Sequence, residues 1–179
     1  GREVLLVDQH RFPRHKICGD ALIPDALEVL ERLGLLSDVM AHSQATDHVR
    51  CVAPSKHWVD LSAPMAVISR FVLDEILLKA AVKQGVRFQP GLCLEAVSRD
   101  PNRANTVNGA WFRKAGERVF IPARQLVLAT GASSSALEAA GVTYRRAPSA
   151  MAMRAIIRHP GMRKEVEGLQ IFWLRALRP

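Results

Sequence analysis

The stretch that decides the fold is Glu3-Val4-Leu5-Leu6-Val7-Asp8, which runs into Gln9-His10-Arg11-Phe12-Pro13-Arg14-His15-Lys16-Ile17-Cys18-Gly19-Asp20. A short, continuous apolar run ending at an acid suits a strand buried on both faces of a parallel sheet. The polar loop after it is punctuated by Pro13 and Gly19. It carries Arg11, Arg14, His15 and Lys16, a basic group that either faces an anion or lies solvated. Pro24 and Asp25 then open a helix with Leu27, Leu30 and Leu33 at helical spacing and Gly34 as its stop.

Outward from there, residues 48–53 and 57–61 read as two strands, and Ser69 as the cap of a helix over 70–84 with Val72, Leu73, Ile76, Leu77 and Ala80 on its apolar face. Residues 86–88, 92–98, 106–113 and 117–121 read as strands. Gln125–Ala129 reads as a second fully apolar strand, stopped at Thr130-Gly131-Ala132, and Ser133–Ala140 as a short helix ended by Gly141. Strands are expected at 150–157 and 168–175 around a His159-Pro160-Gly161 turn. The order is strand, helix, strands, helix, strand, β-ribbon, strand, helix. It predicts a mixed α/β fold with parallel sheet strands and an antiparallel β insertion.

Composition narrows the function classes. With 49% hydrophobic and 23% charged residues over 179 positions, the chain is globular rather than disordered. No run approaches the roughly 18 apolar residues of a membrane helix. The net charge is +8, but the cations are scattered and aromatic residues are few, so nucleic acid is not the expected partner. Cys18, Cys51 and Cys93 are widely spaced with no CxxC. That argues against a disulfide framework or a zinc site, and for a reducing, cytoplasmic setting. Cys51 and Cys93 fall in apolar strand-like runs and read as small core residues. Cys18 sits in a Lys-Ile-Cys-Gly-Asp turn and reads differently.

Asp8 has two readings from the residues alone. In dinucleotide-binding folds a carboxylate at a strand end accepts two ribose hydroxyl protons; an Asp after a strand is also a turn former. No two glycines lie two positions apart, so the GxGxxG loop of such folds is expected upstream of Gly1, and the chain reads as a segment of something longer.

Pro13, Lys16, Cys18 and Gly19, in register after Asp8, resemble the PxxKxCG signature of the geranylgeranyl reductase family of flavoproteins, within the para-hydroxybenzoate hydroxylase-like group that also holds the tryptophan halogenases. Leu22-Ile23-Pro24-Asp25-Ala26 and Leu30-Glu31-Arg32-Leu33-Gly34-Leu35 resemble that family's first helix. Ile68-Ser69-Arg70-Phe71-Val72-Leu73-Asp74, through Ala80-Ala81 and Gly85-Val86, resembles its R-x-x-x-D-x-x-L helix. Residues 91–97 resemble the strand whose backbone meets adenine, with Leu94 at the contact position. Leu126–Ala132 resembles its strand-to-loop element, although close relatives often have Asp-Gly where this chain has Thr130-Gly131. Ala152-Met153-Arg154-Ala155 resembles an A-x-R-x-Y strand, with Ile156 in place of Tyr.

The resemblance implies a Rossmann-like FAD-binding domain over residues 1–147, lacking its first βα unit, and the start of a substrate-binding β-sheet domain over 148–179. It implies FAD as cofactor, NAD(P)H as electron donor, and hydride transfer from reduced flavin to C=C bonds of an isoprenoid or polyprenyl substrate, with possible peripheral membrane contact. Cofactor contacts are expected at Asp8, Arg14, Lys16, Cys18, Gly19, Arg70, Leu94, Thr130, Gly131 and Ala132. Cys18 and Gly19 are the expected catalytic turn, and Arg70 is expected to face the pyrophosphate or ribose, since a guanidinium fork suits phosphate oxygens. A flavin monooxygenase or halogenase on the same scaffold, and a non-catalytic nucleotide- or partner-binding module, are the competing expectations.

Overall fold

The computed structural model describes residues 2–131, 133–142, 153–157, 160–161 and 168–174, apart from the side chains of Ala104 and Asn105. Ala132 and the expected domain boundary at 147/148 lie outside them. The chain divides into two compact units, one of Gly1–Phe12 with Val82–Ala152, the other of Pro13–Ala81 with Met153–Pro179.

In the first unit, β1 (Leu5–Asp8) pairs in parallel with β5 (Arg87–Pro90), Leu5 opposite Arg87 and Asp8 opposite Pro90. The parallel pairing agrees with the sequence reading, but burial on both faces does not: Leu6 is 40% exposed. An antiparallel sheet follows, in the order β6 (Cys93–Asp100), β7 (Arg103–Lys114), β8 (Glu117–Pro122). Leu92, Ala110 and Phe112 form its buried core, with Val7, Leu94, Ile121 and Leu126 packed around them. Gly109 is dictated by close approach. A Cβ there would lie 2.5 Å from the Ile121 carbonyl oxygen and 2.5 Å from the Phe120 ring. The short helix α4 (Ser134–Ala139) lies against β6.

The second unit holds β2 (Ala21–Leu22), β3 (Gln44–Val52), β4 (Trp58–Val67) and β9 (Leu169–Phe172) in the sheet order β2-β4-β3-β9, with β3 and β9 parallel and the other pairs antiparallel. Helices α1 (Pro24–Arg32), α2 (Leu36–Met40) and α3 (Arg70–Lys83) supply Leu30, Val39 and Leu73 of its core, joined by Ile68 from the link between β4 and α3 and surrounded by Leu22, Leu27, Leu35, Leu36, Val72, Ile76 and Leu77. Pro24 suits the first turn of α1, where its missing N–H costs nothing. At the other end Gly34 takes φ +69°. The Leu35 N–H reaches the Leu30 carbonyl and the Gly34 N–H that of Glu31, the Schellman closure, with Leu35 and Leu30 in one apolar cluster. That closure leaves only the three residues 33–35 between α1 and α2, and α2 escaped the sequence reading because five residues carry too little periodicity.

Three further expectations are corrected. Residues 125–129 run without a strand ladder among the described residues, and Val127 is 87% exposed: apolar composition allows a strand, but only a hydrogen-bonded neighbour makes one. Residues 153–157 likewise carry no ladder. Cys93 is exposed, not core. Side chains alternate along a strand, and Leu92 and Leu94 take the inward places, leaving the Cys93 thiol to face the Gln9 Oε1 at 3.8 Å.

Candidate functional site

The second unit gathers the Pro13–Asp20 loop against the start of α3. The Ile68 N–H donates to the Asp20 carbonyl at 2.9 Å, continuing the pairing of Ala21 with Val67. Ser69 follows, and its hydroxyl accepts the Phe71 N–H at 3.2 Å, the N-cap expected of it. Arg70 is therefore the first residue of α3 and lies beside the Cys18 turn, because β2 is zipped to β4 immediately before it.

Arg70 donates twice to Asp74, Nε to Oδ1 at 2.6 Å and Nη2 to Oδ2 at 3.0 Å. Arg14 Nη1 reaches the same carboxylate at 3.2 Å. A cation at a helix N-terminus opposes the macrodipole, and Arg placed before its acid is the weaker orientation of an i,i+4 pair. Local helix energetics thus disfavour this arrangement, and tertiary partners hold it. Asp74 is 7% exposed, so one buried carboxylate serves two guanidinium groups. Asp74 holds Arg70 firmly cationic, an effect that burial opposes and the hydrogen bond to Cys18 reinforces.

Cys18 is half-buried. Its thiol is pushed below the ordinary range, first by the backbone N–H of Asp20 and then, against the effect of burial, by the hydrogen bond and charge of Arg70; the Asp20 carboxylate pulls the other way. A donor or positive charge near a sulfur favours its thiolate. Gly19 is exposed, and a Cβ built on it would meet nothing within 4 Å, so the backbone of this turn is bare toward open space. Arg154 pairs with Asp20. Beside them His15, Lys16, Ile17, Arg154 and Ile156 line a cavity of about 240 Å³, and the His15 ring lies 4.9 Å from that of Phe71.

Of the expected site residues, Arg14, Cys18, Gly19 and Arg70 come together in this unit, with Lys16 at the cavity. Asp8, Leu94, Thr130 and Gly131 belong to the other unit. Asp8 Oδ1 accepts the His10 N–H at 2.8 Å and its carbonyl accepts the Leu92 N–H at 3.2 Å, so the turn-forming reading of Asp8 is realised. At Leu94 the side chain packs into the core, but the pairing with β7 slips between Leu94 and Ala96. A bulge interrupts the ladder there, where a main-chain contact was expected. Thr130 is half-buried and Gly131 takes φ +63°. Asp20, Asp74 and Arg154 were missing from the expected set. Asp74 was readable as the acid four residues after Arg70 on one helix face; Arg154 lies 134 positions from Asp20, and only folding reveals that pair.

A family model described as FAD binding domain matches residues 1–177. Menaquinone reductase of Mycobacterium tuberculosis is 32% identical over 139 residues, covering 75% of this chain and 33% of that protein. Flavin-dependent brominase Bmp2 superposes with a TM-score of 0.67 at 28% identity, covering 78% of this chain and 34% of that one. A p-nitrophenol 4-monooxygenase from Pseudomonas putida shares the fold, with a TM-score of 0.58 at 12% identity over 69% of this chain and 33% of that one. The chain spans about a third of the length of the curated relatives it matches. With the mixed α/β fold, the parallel β1–β5 pair and the antiparallel β insertion in place, the chain belongs to the FAD-binding domain family of flavoenzymes.

Proposed function

We propose that this chain is the FAD-binding part of a flavin-dependent oxidoreductase that reduces C=C bonds of an isoprenoid or polyprenyl substrate, with NAD(P)H as electron donor. The observation that carries the reading is the Cys18 turn: a half-buried thiol whose pKa is drawn down by the Asp20 backbone and by Arg70, next to an exposed glycine facing open space. The similarity to menaquinone reductase supports a reductase.

The residues present fit the cofactor in charge and donor type. Asp8 supplies a carboxylate at a strand end, suited to ribose hydroxyls. The bulge just after Leu94, at Glu95, leaves main-chain groups off the ladder for adenine, and Thr130 and Gly131, the latter with a positive φ, supply a loop that permits close backbone approach. Arg14, Lys16 and Arg70 supply positive charge for the pyrophosphate. FAD, when bound, supplies hydride chemistry, while the protein binds, orients and tunes it. In this reading Cys18 holds a proton or negative charge beside the reacting centre, Arg70 keeps that charge in place, and Asp74 fixes Arg70. Ile17 and Ile156, 71% and 75% exposed at the cavity, offer apolar surface to a lipid chain, which makes peripheral membrane contact part of the proposal. Among the described residues no helix is long and apolar enough to cross a membrane.

The second reading is a monooxygenase or halogenase, favoured by the superposition on the brominase. The test is anaerobic incubation of the intact protein with an isoprenoid quinone and NAD(P)H. A flavin spectrum and a saturated prenyl product support the reductase. Oxygen consumption with a hydroxylated or halogenated product, and no anaerobic turnover, refutes it. Asp8→Ala is expected to weaken FAD binding in a flavin titration; unchanged affinity would remove the ribose assignment.

A further inference from the structure

Strand β6 breaks its own alternation. Leu92 and Leu94 turn into the core of the first unit, and Val97, directly opposite the buried Ala110, shares that face. Positions 94 and 97 are three apart, so a period of two cannot place both inward. The ladder absorbs the odd residue at Glu95: Leu94 stands opposite Phe112 and Ala96 opposite Trp111, leaving Glu95 without a residue across from it on β7. On the outer face Arg113 and Arg118 stand directly opposite each other on β7 and β8, and like charges so placed repel. The Glu95 carboxylate serves both. Its Oε1 pairs with Arg113 Nη2 and its Oε2 with Arg118 Nε at 3.3 Å. Arg113 Nη1 also donates to the Gly116 carbonyl in the β7–β8 turn at 3.3 Å, and the Arg118 guanidinium lies 4.4 Å from the centre of the Trp111 ring. The acid is 21% exposed, its arginines 57% and 56%. A lone surface pair would hold little, but one largely covered acid shared by two fixed cations ties three strands at the bulge.

We propose that Glu95, clamped by Arg113 and Arg118, is a positioning residue that fixes the β6 bulge and so sets a preference for a flavin that carries adenosine over one that does not. Bulges gather beside binding sites, where they end pairing or re-aim a group. This one lies close to the strand end that bears Asp8: the Leu92 N–H donates to the Asp8 carbonyl at 3.2 Å, three residues before Glu95, and all of these residues belong to one unit. The clamp acts through the backbone. Released from its arginines, the extra residue is free to shift along β6, and each shift changes which main-chain groups stand off the ladder. The charges are spent on the outer face, away from the core residues Leu92 and Leu94, and hold the main chain rather than touch the cofactor.

This inference rests on the adenosine reading proposed above for Asp8 and the bulge, and it is tested without turnover. The intact protein is freed of flavin, and FAD and FMN, which lacks the adenosine, are titrated separately by flavin fluorescence. Glu95→Gln keeps the volume and removes the charge. Its FAD affinity is expected to fall about fivefold, the worth of one main-chain hydrogen bond, while its FMN affinity stays within about twofold of the parent. An equal fall for both flavins marks a purely structural role and overturns the proposal, as does an unchanged FAD affinity. Should Glu95→Gln fail to fold, Arg118→Met decides, since it keeps an apolar stem over Trp111: a loss confined to FAD supports the proposal and a retained FAD affinity refutes it. A parent that binds FAD no more tightly than FMN removes the adenosine reading, and this proposal with it. A parent that prefers FAD, with a Glu95→Gln variant that keeps the preference, leaves that reading standing and refutes the clamp alone.

Discussion

Asp74→Asn is the perturbation that reads the site's electrostatics most directly. The substitution keeps the volume and removes a charge that is 7% exposed and holds Arg70 at 2.6 and 3.0 Å and Arg14 at 3.2 Å. Two guanidinium groups, themselves 25% and 16% exposed, would then face each other without their anion. Removing one partner of a buried ion pair costs about 3–5 kcal/mol, because the remaining charge stays desolvated. The partial exposure of both arginines argues for the lower end, about 3 kcal/mol. At the usual 2–4 °C per kcal/mol for this size, the melting temperature would fall by roughly 6–12 °C. Urea unfolding of the intact protein, followed by far-UV circular dichroism, measures it. The triple variant Arg14→Met/Arg70→Met/Asp74→Leu removes all three charges and is expected to recover most of the loss, since apolar replacement of a whole buried cluster is close to neutral. A loss below about 0.5 kcal/mol in Asp74→Asn, or a triple variant no more stable than the single one, refutes the reasoning.

Gly109→Ala would place a methyl 2.5 Å from the Ile121 carbonyl oxygen and the Phe120 ring; a loss of about 1–3 kcal/mol is expected by the same urea titration. Cys18 supplies a pH signature. Its pKa is lowered on folding from an ordinary value of 9.0, so the stability it contributes is fully present above that value and is lost as pH falls through the lowered one. The stability difference between the parent and Cys18→Ser should therefore grow in the parent's favour as pH rises toward 9.0, and a flat difference across that window would contradict the thiolate assignment.

Local sequence was sufficient wherever the cause is local. Leu27 and Leu30 with Pro24 before and Gly34 after specify α1, because periodicity, first-turn proline and left-handed closure all act within one helix, whereas Leu33 caps its C-terminus, 61% exposed, outside the core. Ser69 and the 72–80 apolar positions specify α3 in the same way. Turn signals and period-2 patterning mark the β6–β8 ribbon. The density of Pro13, Lys16, Cys18 and Gly19 after Asp8 pointed to a flavoprotein, and the family match agrees.

The sequence by itself determined α1, α3, β1 and the β6–β8 ribbon, the α/β class and the basic, thiol-bearing loop as the place to look. Pairing and partnership were decided only in three dimensions. Gln125–Ala129 has strand composition yet no ladder among the described residues, because a strand depends on a neighbour that composition does not supply. Leu92 and Leu94 turned Cys93 outward. The Arg154–Asp20 pair, the left-handed Asp20 and the sharing of Asp74 between Arg14 and Arg70 exist only after β2 zips to β4. Charges far apart in sequence acquire their energies from burial and distance, and both are properties of the folded chain alone.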